Sequence, residues 1–207
     1  MRRQKRLKES PSQTAGPYVH IGTNPNWVEI TGVWDRDFGL VLMDERARGE
    51  RILVQGHVFD GAGAPLTDAL VEIWQADCDG LYNSAEDKRG RADPYFVGWG
   101  RQPTDDRTGA FRFETIKPGR VPFPDGRLMA PHLTFWIVAR GINIGLHTRM
   151  YFPDEQPANA EDPVLACVEN AERRKTLIAT QDASAGIKSY KFDINLQGPD
   201  EMVFFDV

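Results

Sequence analysis

Arg51-Ile52-Leu53-Val54-Gln55-Gly56-His57-Val58-Phe59-Asp60, followed at once by Gly61-Ala62-Gly63-Ala64-Pro65, decides the fold class. Ile52, Val54 and Val58 sit an even number of residues apart, so an extended chain puts them on one face. The Gly- and Pro-containing run then turns the chain. The same habit extends outward in both directions. In Ala69–Trp74, Val71 and Ile73 oppose Glu72, and Phe111, Phe113 and Thr115 alternate with Arg112 and Glu114. Leu133–Ala139 is nearly all apolar, as a strand covered on both faces would be. Tyr190, Phe192, Ile194 and Leu196 alternate with Lys191, Asp193 and Asn195, and Met202–Phe205 reads as a short closing strand. One segment departs from this period: Pro163–Arg174 opens with Pro after two acidic residues and closes on a basic end, which predicts a helix. The expectation is a mainly β protein, a β-sandwich over residues 48–207 with one short helix.

Two stretches do not fit a simple sandwich. Gln75–Thr108 is a long excursion rich in Gly and charge, larger than a connector needs to be, and such loops carry function or partner contacts. Residues 1–47 show no sustained period but hold turn signals among Tyr18, Trp27 and Trp34. These aromatics suit an arm that lies on something better than a free tail. With 207 residues, 19 Gly and 14 Pro, the chain has the length and turn content for one such domain plus an arm. The net charge of −5 argues against general affinity for nucleic acid or anionic membrane. The basic cluster Arg2, Arg3, Lys5, Arg6 and Lys8 is followed by polar residues rather than an apolar run, unlike a signal peptide. Cys78 and Cys167 form neither a metal spacing nor a disulfide framework. These features lead to an expected cytoplasmic location.

A catalytic constellation is hard to assemble from these residues. There is no Gly-x-Ser-x-Gly elbow, no cysteine near a histidine in sequence, and no phosphate-cradling Gly loop. The histidines are His20, His57, His132 and His147. His57 lies among solvent-facing strand positions. His132 opens a strand on which a metal site would favour His-x-His, but the position two residues on is Thr134, whose hydroxyl is a feeble substitute for imidazole. Two readings remain open from residues alone: a β module that only assembles with partners, and a metalloenzyme with an unfamiliar set such as His132, His147 and Tyr151. Gly16-Pro17 reads as a turn, and Arg140 as a surface or ion-paired residue.

Several stretches taken together resemble the intradiol ring-cleavage dioxygenases. They are Gly56–Asp60, Val71–Asp77, Gly80–Tyr82, Thr115–Gly119, Pro131-His132 and Met150–Phe152, in the family's order. The catalytic chains of that family hold ferric iron with two tyrosines and two histidines. Phenolate oxygen suits a hard ferric ion, and imidazoles complete the set. At the corresponding positions this chain has Val121, Lys88 and Thr134, with only His132 retained. The resemblance therefore implies no metal on this chain. Ser12–Tyr18, Ala139–Asn143 and Val203–Asp206 resemble the iron-free chains found in one branch of the family, which assemble with a homologous iron-bearing beta subunit. The likeness implies a non-heme Fe(III) held by that partner, with protocatechuate and O₂ as substrates. It assigns Thr14, Gly16, Pro17, Tyr18 and Arg140 to substrate binding, with Arg140 also carrying a catalytic role.

Overall fold

The computed structural model describes residues 13–182 and 186–206; the basic cluster at residues 2–8 lies outside them. Two sheets face each other across one core. The first has the order β4 (Ala110–Ile116), β1 (Arg51–Phe59), β8 (Lys188–Lys191), β7 (Thr180–Asp182), with β9 (Ile194–Asn195) also pairing β1. The second runs β3 (Trp99–Pro103), β2 (Leu70–Trp74), β5 (His132–Val138), β6 (Leu146–Tyr151) and is antiparallel throughout. Alternation puts Val54, Val58, Phe111 and Phe113 of the first sheet against Val71, Ile73, Phe135 and Ile137 of the second, all buried. Each side chain of this size contributes about 1.5–3 kcal/mol when fully buried.

The predicted strand Tyr190–Leu196 is broken, and the break has a local cause. After β8 the chain crosses over Gly56, where a Cβ would come within 1.9 Å of the Phe192 carbonyl oxygen. Phe192 N donates to Gln55 O at 2.8 Å, and the Asp193 carboxylate accepts from His57 N at 3.1 Å. The chain thus stays tied to β1 through the crossing, and β9 resumes beyond it. His57 remains half-buried, its Nδ1 3.2 Å from Asp193 Oδ1.

Other expectations need correction. The single helix Pro163–Arg174 is two: α3 (Pro163–Cys167) and α4 (Ala171–Lys175). Asp162 caps the first by accepting from Val164 N and Leu165 N, and half-buried Val168 then turns extended. Asn170 starts the second by accepting from Glu172 N and Arg173 N, since a side-chain acceptor there favours a new helix start. Short helices also form at α1 (Val19–Thr23) and α2 (Gln156–Glu161). The excursion after Gln75 is shorter than read, because Trp99–Pro103 is paired to β2 despite lacking alternation. Met202–Phe205 contributes one bridge, Phe205 to His147, rather than a strand.

The arm runs along the edge of the second sheet beside β3. Leu42 is buried in the main core; Val97 N donates to Leu42 O at 2.7 Å and Arg101 N to Gly39 O at 2.9 Å. Asp37 accepts from the backbone of Asn26 and Trp27 at 3.0 Å each, which folds the arm on itself. Ile21, Trp27, Ile30, Val33, Trp34, Phe38, Leu40 and Val41 remain exposed along it. No helix among the described residues is long and apolar enough to cross a membrane.

Candidate functional site

Thr14 and Arg140 meet although the arm and the second sheet are far apart in sequence. Thr14 Oγ1 donates to Ala139 O at 3.2 Å across 125 residues, and Gly16 N donates back to Thr14 Oγ1 at 3.3 Å. Gly16 has φ +69°, a left-handed conformation that glycine adopts without strain, and it aims Pro17 and Tyr18 along the surface. The Tyr18 ring is 75% exposed. Ala139 O also accepts from Ile142 N at 3.1 Å, which closes the turn that carries Arg140.

Sequence reasoning missed two supports of this cluster. Arg140 Nη2 lies 2.9 Å from Asp68 Oδ2, and the guanidinium side chain is still 66% exposed. The Asp68 carbonyl in turn bonds His20 Nε2 at 3.1 Å. His20 is buried against Trp27, ring centroids 4.6 Å apart, and burial holds its pKa below the ordinary imidazole value. Nothing local marks Asp68 or His20, since their role lies in a contact between distant segments. The arrangement presents a permanent cation, held by a carboxylate on one edge, beside an exposed phenol and a Gly-Pro turn. It can bind and orient an anionic aromatic molecule.

The positions that the family resemblance assigns to metal ligands lie elsewhere, on the outer face of the second sheet. His132 and Thr134 share that face with Tyr151 and Arg149, their neighbours in register on β6. Val121 and Met129 are buried over it, with Tyr82 packed alongside. Lys88 points away, its Nζ donating to Ala85 O. His132 is fully buried, with its Nδ1 committed to Ala130 O at 2.8 Å; burial first, and the Arg149 charge second, push its pKa down to about 4. Burial also raises the Tyr82 and Tyr151 phenols, which disfavours phenolate. No group of three or more His, Cys, Asp or Glu residues among the described residues could hold a metal ion. One imidazole, a hydroxyl and a valine do not make a ferric site.

The most prominent cleft lies away from the Arg140 cluster. A cleft of about 580 Å³ opens between the arm residues Trp27 and Leu40 and the strand residues Gln55, His57, Phe111 and Arg112. It touches none of Thr14, Gly16, Pro17, Tyr18 or Arg140.

The family model described as Dioxygenase matches residues 23–198. The chain belongs to the intradiol ring-cleavage dioxygenase family. More particularly, it is 45% identical over 204 residues to the protocatechuate 3,4-dioxygenase alpha chain of Pseudomonas putida, covering 97% of each chain. It is 38% identical over 160 residues to the corresponding beta chain of Burkholderia cepacia, covering 73% of this chain and 66% of that one. Among solved structures, the dioxygenase domain of a carbohydrate-binding fusion from Streptomyces sp. SirexAA-E aligns with a TM-score of 0.54 and 28% identity, over 77% of this chain and 87% of that one.

Proposed function

We propose that this chain is the iron-free alpha subunit of a protocatechuate 3,4-dioxygenase. It works with a homologous beta subunit whose non-heme Fe(III) supplies the site at which the aromatic diol and O₂ react. The net reaction inserts both atoms of O₂ between the two hydroxyl-bearing carbons of protocatechuate, giving 3-carboxy-cis,cis-muconate. The observation that carries this reading is the junction of Thr14 with Ala139-Arg140. A segment with no local reason to be ordered is held beside an exposed guanidinium. Likeness to alpha chains along nearly the whole length supports it.

In this reading Thr14, Gly16, Pro17, Tyr18 and Arg140 form one wall of a pocket whose other wall belongs to the beta chain. Arg140 attracts the substrate carboxylate with its planar, delocalised guanidinium charge. Asp68 Oδ2 stands 2.9 Å from one nitrogen of its fork as an ion pair without hydrogen-bond geometry, and the other donors remain free among the described residues. The Gly16-Pro17 turn and the Tyr18 ring cover the bound molecule and exclude water, which strengthens each charge contact inside. Residues 1–47 serve as the partner- and pocket-contacting arm, and residues 48–207 as the framework. The exposed apolar row from Ile21 to Val41 fits burial in an assembly. Cys78 and Cys167 are unpaired, which suits the reducing cytoplasm.

Co-expression tests this. The chain and a beta chain should co-purify as one heteromer carrying one iron per pair, and the pair should cleave protocatechuate with uptake of one O₂. A monomer by light scattering that ignores the beta chain would sink the proposal. A heteromer whose turnover is indifferent to every arm and Arg140 substitution would leave only the reading of a non-catalytic assembly module.

A further inference from the structure

The outer face of the second sheet carries, under Met129, a cation that nothing in the proposed reaction uses. Arg149 on β6 lies opposite Thr134 on β5, and the next strand places Trp74 beside Thr134 in the same row. Its guanidinium is half-buried. Arg149 Nη1 lies 3.3 Å from Met129 Sδ and donates to Tyr151 Oη at 3.5 Å. Among the described residues no carboxylate reaches within the 4.0 Å of an ion pair with it. The nearest link to negative charge is indirect: Tyr151 OH donates to Asp162 Oδ1 at 3.2 Å. Asp162 is fully buried and also accepts from Ala130 N at 2.7 Å and from Val164 N and Leu165 N at 2.8 Å each. A guanidinium, a phenol and a carboxylate thus run in a chain under Met129 and Val121.

We infer that Arg149 stands in for a metal ion on this face, supplying the positive charge there and excluding iron even when ligands are provided. Like charges a few ångströms apart inside a protein repel strongly, and the repulsion grows with the charge of the incoming ion. The guanidinium also engages the Tyr151 oxygen, so a potential donor atom is already occupied. Loss of ligands at Val121 and Thr134 is therefore only half of the reason this chain is metal-free. The other half is a resident cation that must leave before an ion can enter.

Ligand restoration separates the two halves. Val121→Tyr with Thr134→His returns a phenol and an imidazole beside His132. This double variant is made in the full chain with Arg149 intact, with R149K and with R149Q. Each protein receives ferrous iron anaerobically and is then aerated. Iron is counted by metal analysis, and its site is read from the phenolate-to-ferric absorption of the introduced tyrosine. The expected result is no binding with Arg149 or R149K, and affinity at least about 100-fold tighter with R149Q. Circular dichroism checks that all three fold; if R149Q does not, R149M replaces it. Equal iron in the Arg149 and R149Q proteins, whether both load or neither does, overturns the inference. So does loading of R149K to the level of R149Q, since charge would then not be the cause. Turnover of protocatechuate plays no part in any readout.

Discussion

Arg140 stands at the start of the turn after β5, and Arg149 lies in the strand that comes next, yet the two guanidinium groups live in different surroundings. Arg140 projects from the sheet edge, mostly solvated, with the Asp68 carboxylate 2.9 Å away. Arg149 turns inward beneath loops, touching a thioether and a phenol. An exposed ion pair contributes at most about 1 kcal/mol to stability, so the Asp68 contact matters for orientation more than for folding. A half-buried cation is different, because its surroundings must supply part of what water no longer does. In the proposed reading, the Arg140 region meets something outside the chain, whereas the Arg149 region makes its contacts within it. Substitutions in the two regions should therefore separate cleanly into effects on turnover and effects on stability.

The largest effect is expected in the inward region. Asp162→Ala leaves three backbone N–H groups and the Tyr151 hydroxyl without their acceptor, and removes the cap of α3. Loss of about 3–4 kcal/mol of unfolding free energy is expected, measured by urea denaturation. A loss under about 1 kcal/mol would break the view of this region as a self-contained polar core.

Arg140→Ala tests the outward region. It should leave the iron content of the assembled enzyme and the denaturation midpoint unchanged. A charge-assisted contact is worth roughly 1.5–3 kcal/mol, so kcat/KM for protocatechuate should fall by about one to two powers of ten. Steady-state kinetics normalised to iron decide it. A change within about twofold would make Arg140 a surface residue and dissolve the contrast.

The pH dependence of stability sharpens the comparison. His132 has a folded pKa of about 4 against about 6.5 for an unfolded histidine. Between those values the unfolded chain binds the extra proton, so stability rises with pH through this window and is lost as pH falls from about 6.5 to 4. Between pH 7 and pH 5 this one group should cost about 2 kcal/mol. Chemical denaturation of wild type and His132→Gln across that range measures it: the variant should show a flatter profile by about that amount. Identical slopes would mean that the imidazole is not held neutral by burial.

The smallest effect belongs to Gly16→Ala. A Cβ there meets nothing within 4 Å, so only the backbone at φ +69° resists it. The strain is about 1 kcal/mol, which corresponds to roughly a fivefold lower kcat/KM if the turn must keep its shape. Pairing this substitution with Arg140→Ala in a double-mutant cycle would show whether the arm and the guanidinium act together. Simple additivity would mean that they serve the pocket separately.

Alternation with a period of two was enough to determine the class of fold, because Ile52, Val54 and Val58 have only one way to share a face in an extended chain. The strands around Arg51–Phe59, Leu70–Trp74 and Ala110–Ile116 come directly from it. The places of Val121, Lys88 and Thr134 at would-be ligand positions came from the family resemblance rather than from periodicity. Only the tertiary structure decided where strands end and what they meet. The Tyr190–Leu196 pattern runs unbroken, but the backbone crossing over Gly56 splits it, and no local period records such a crossing. The single helix reading failed in the same way, because Asp162 and Asn170 each cap a separate start. Most of all, alternation tells which residues share a face and not which face is outward. Arg140 and Arg149 are alike in sequence, and contacts with Asp68, Met129 and Tyr151, made only on folding, set one toward solvent and the other among half-buried and buried side chains.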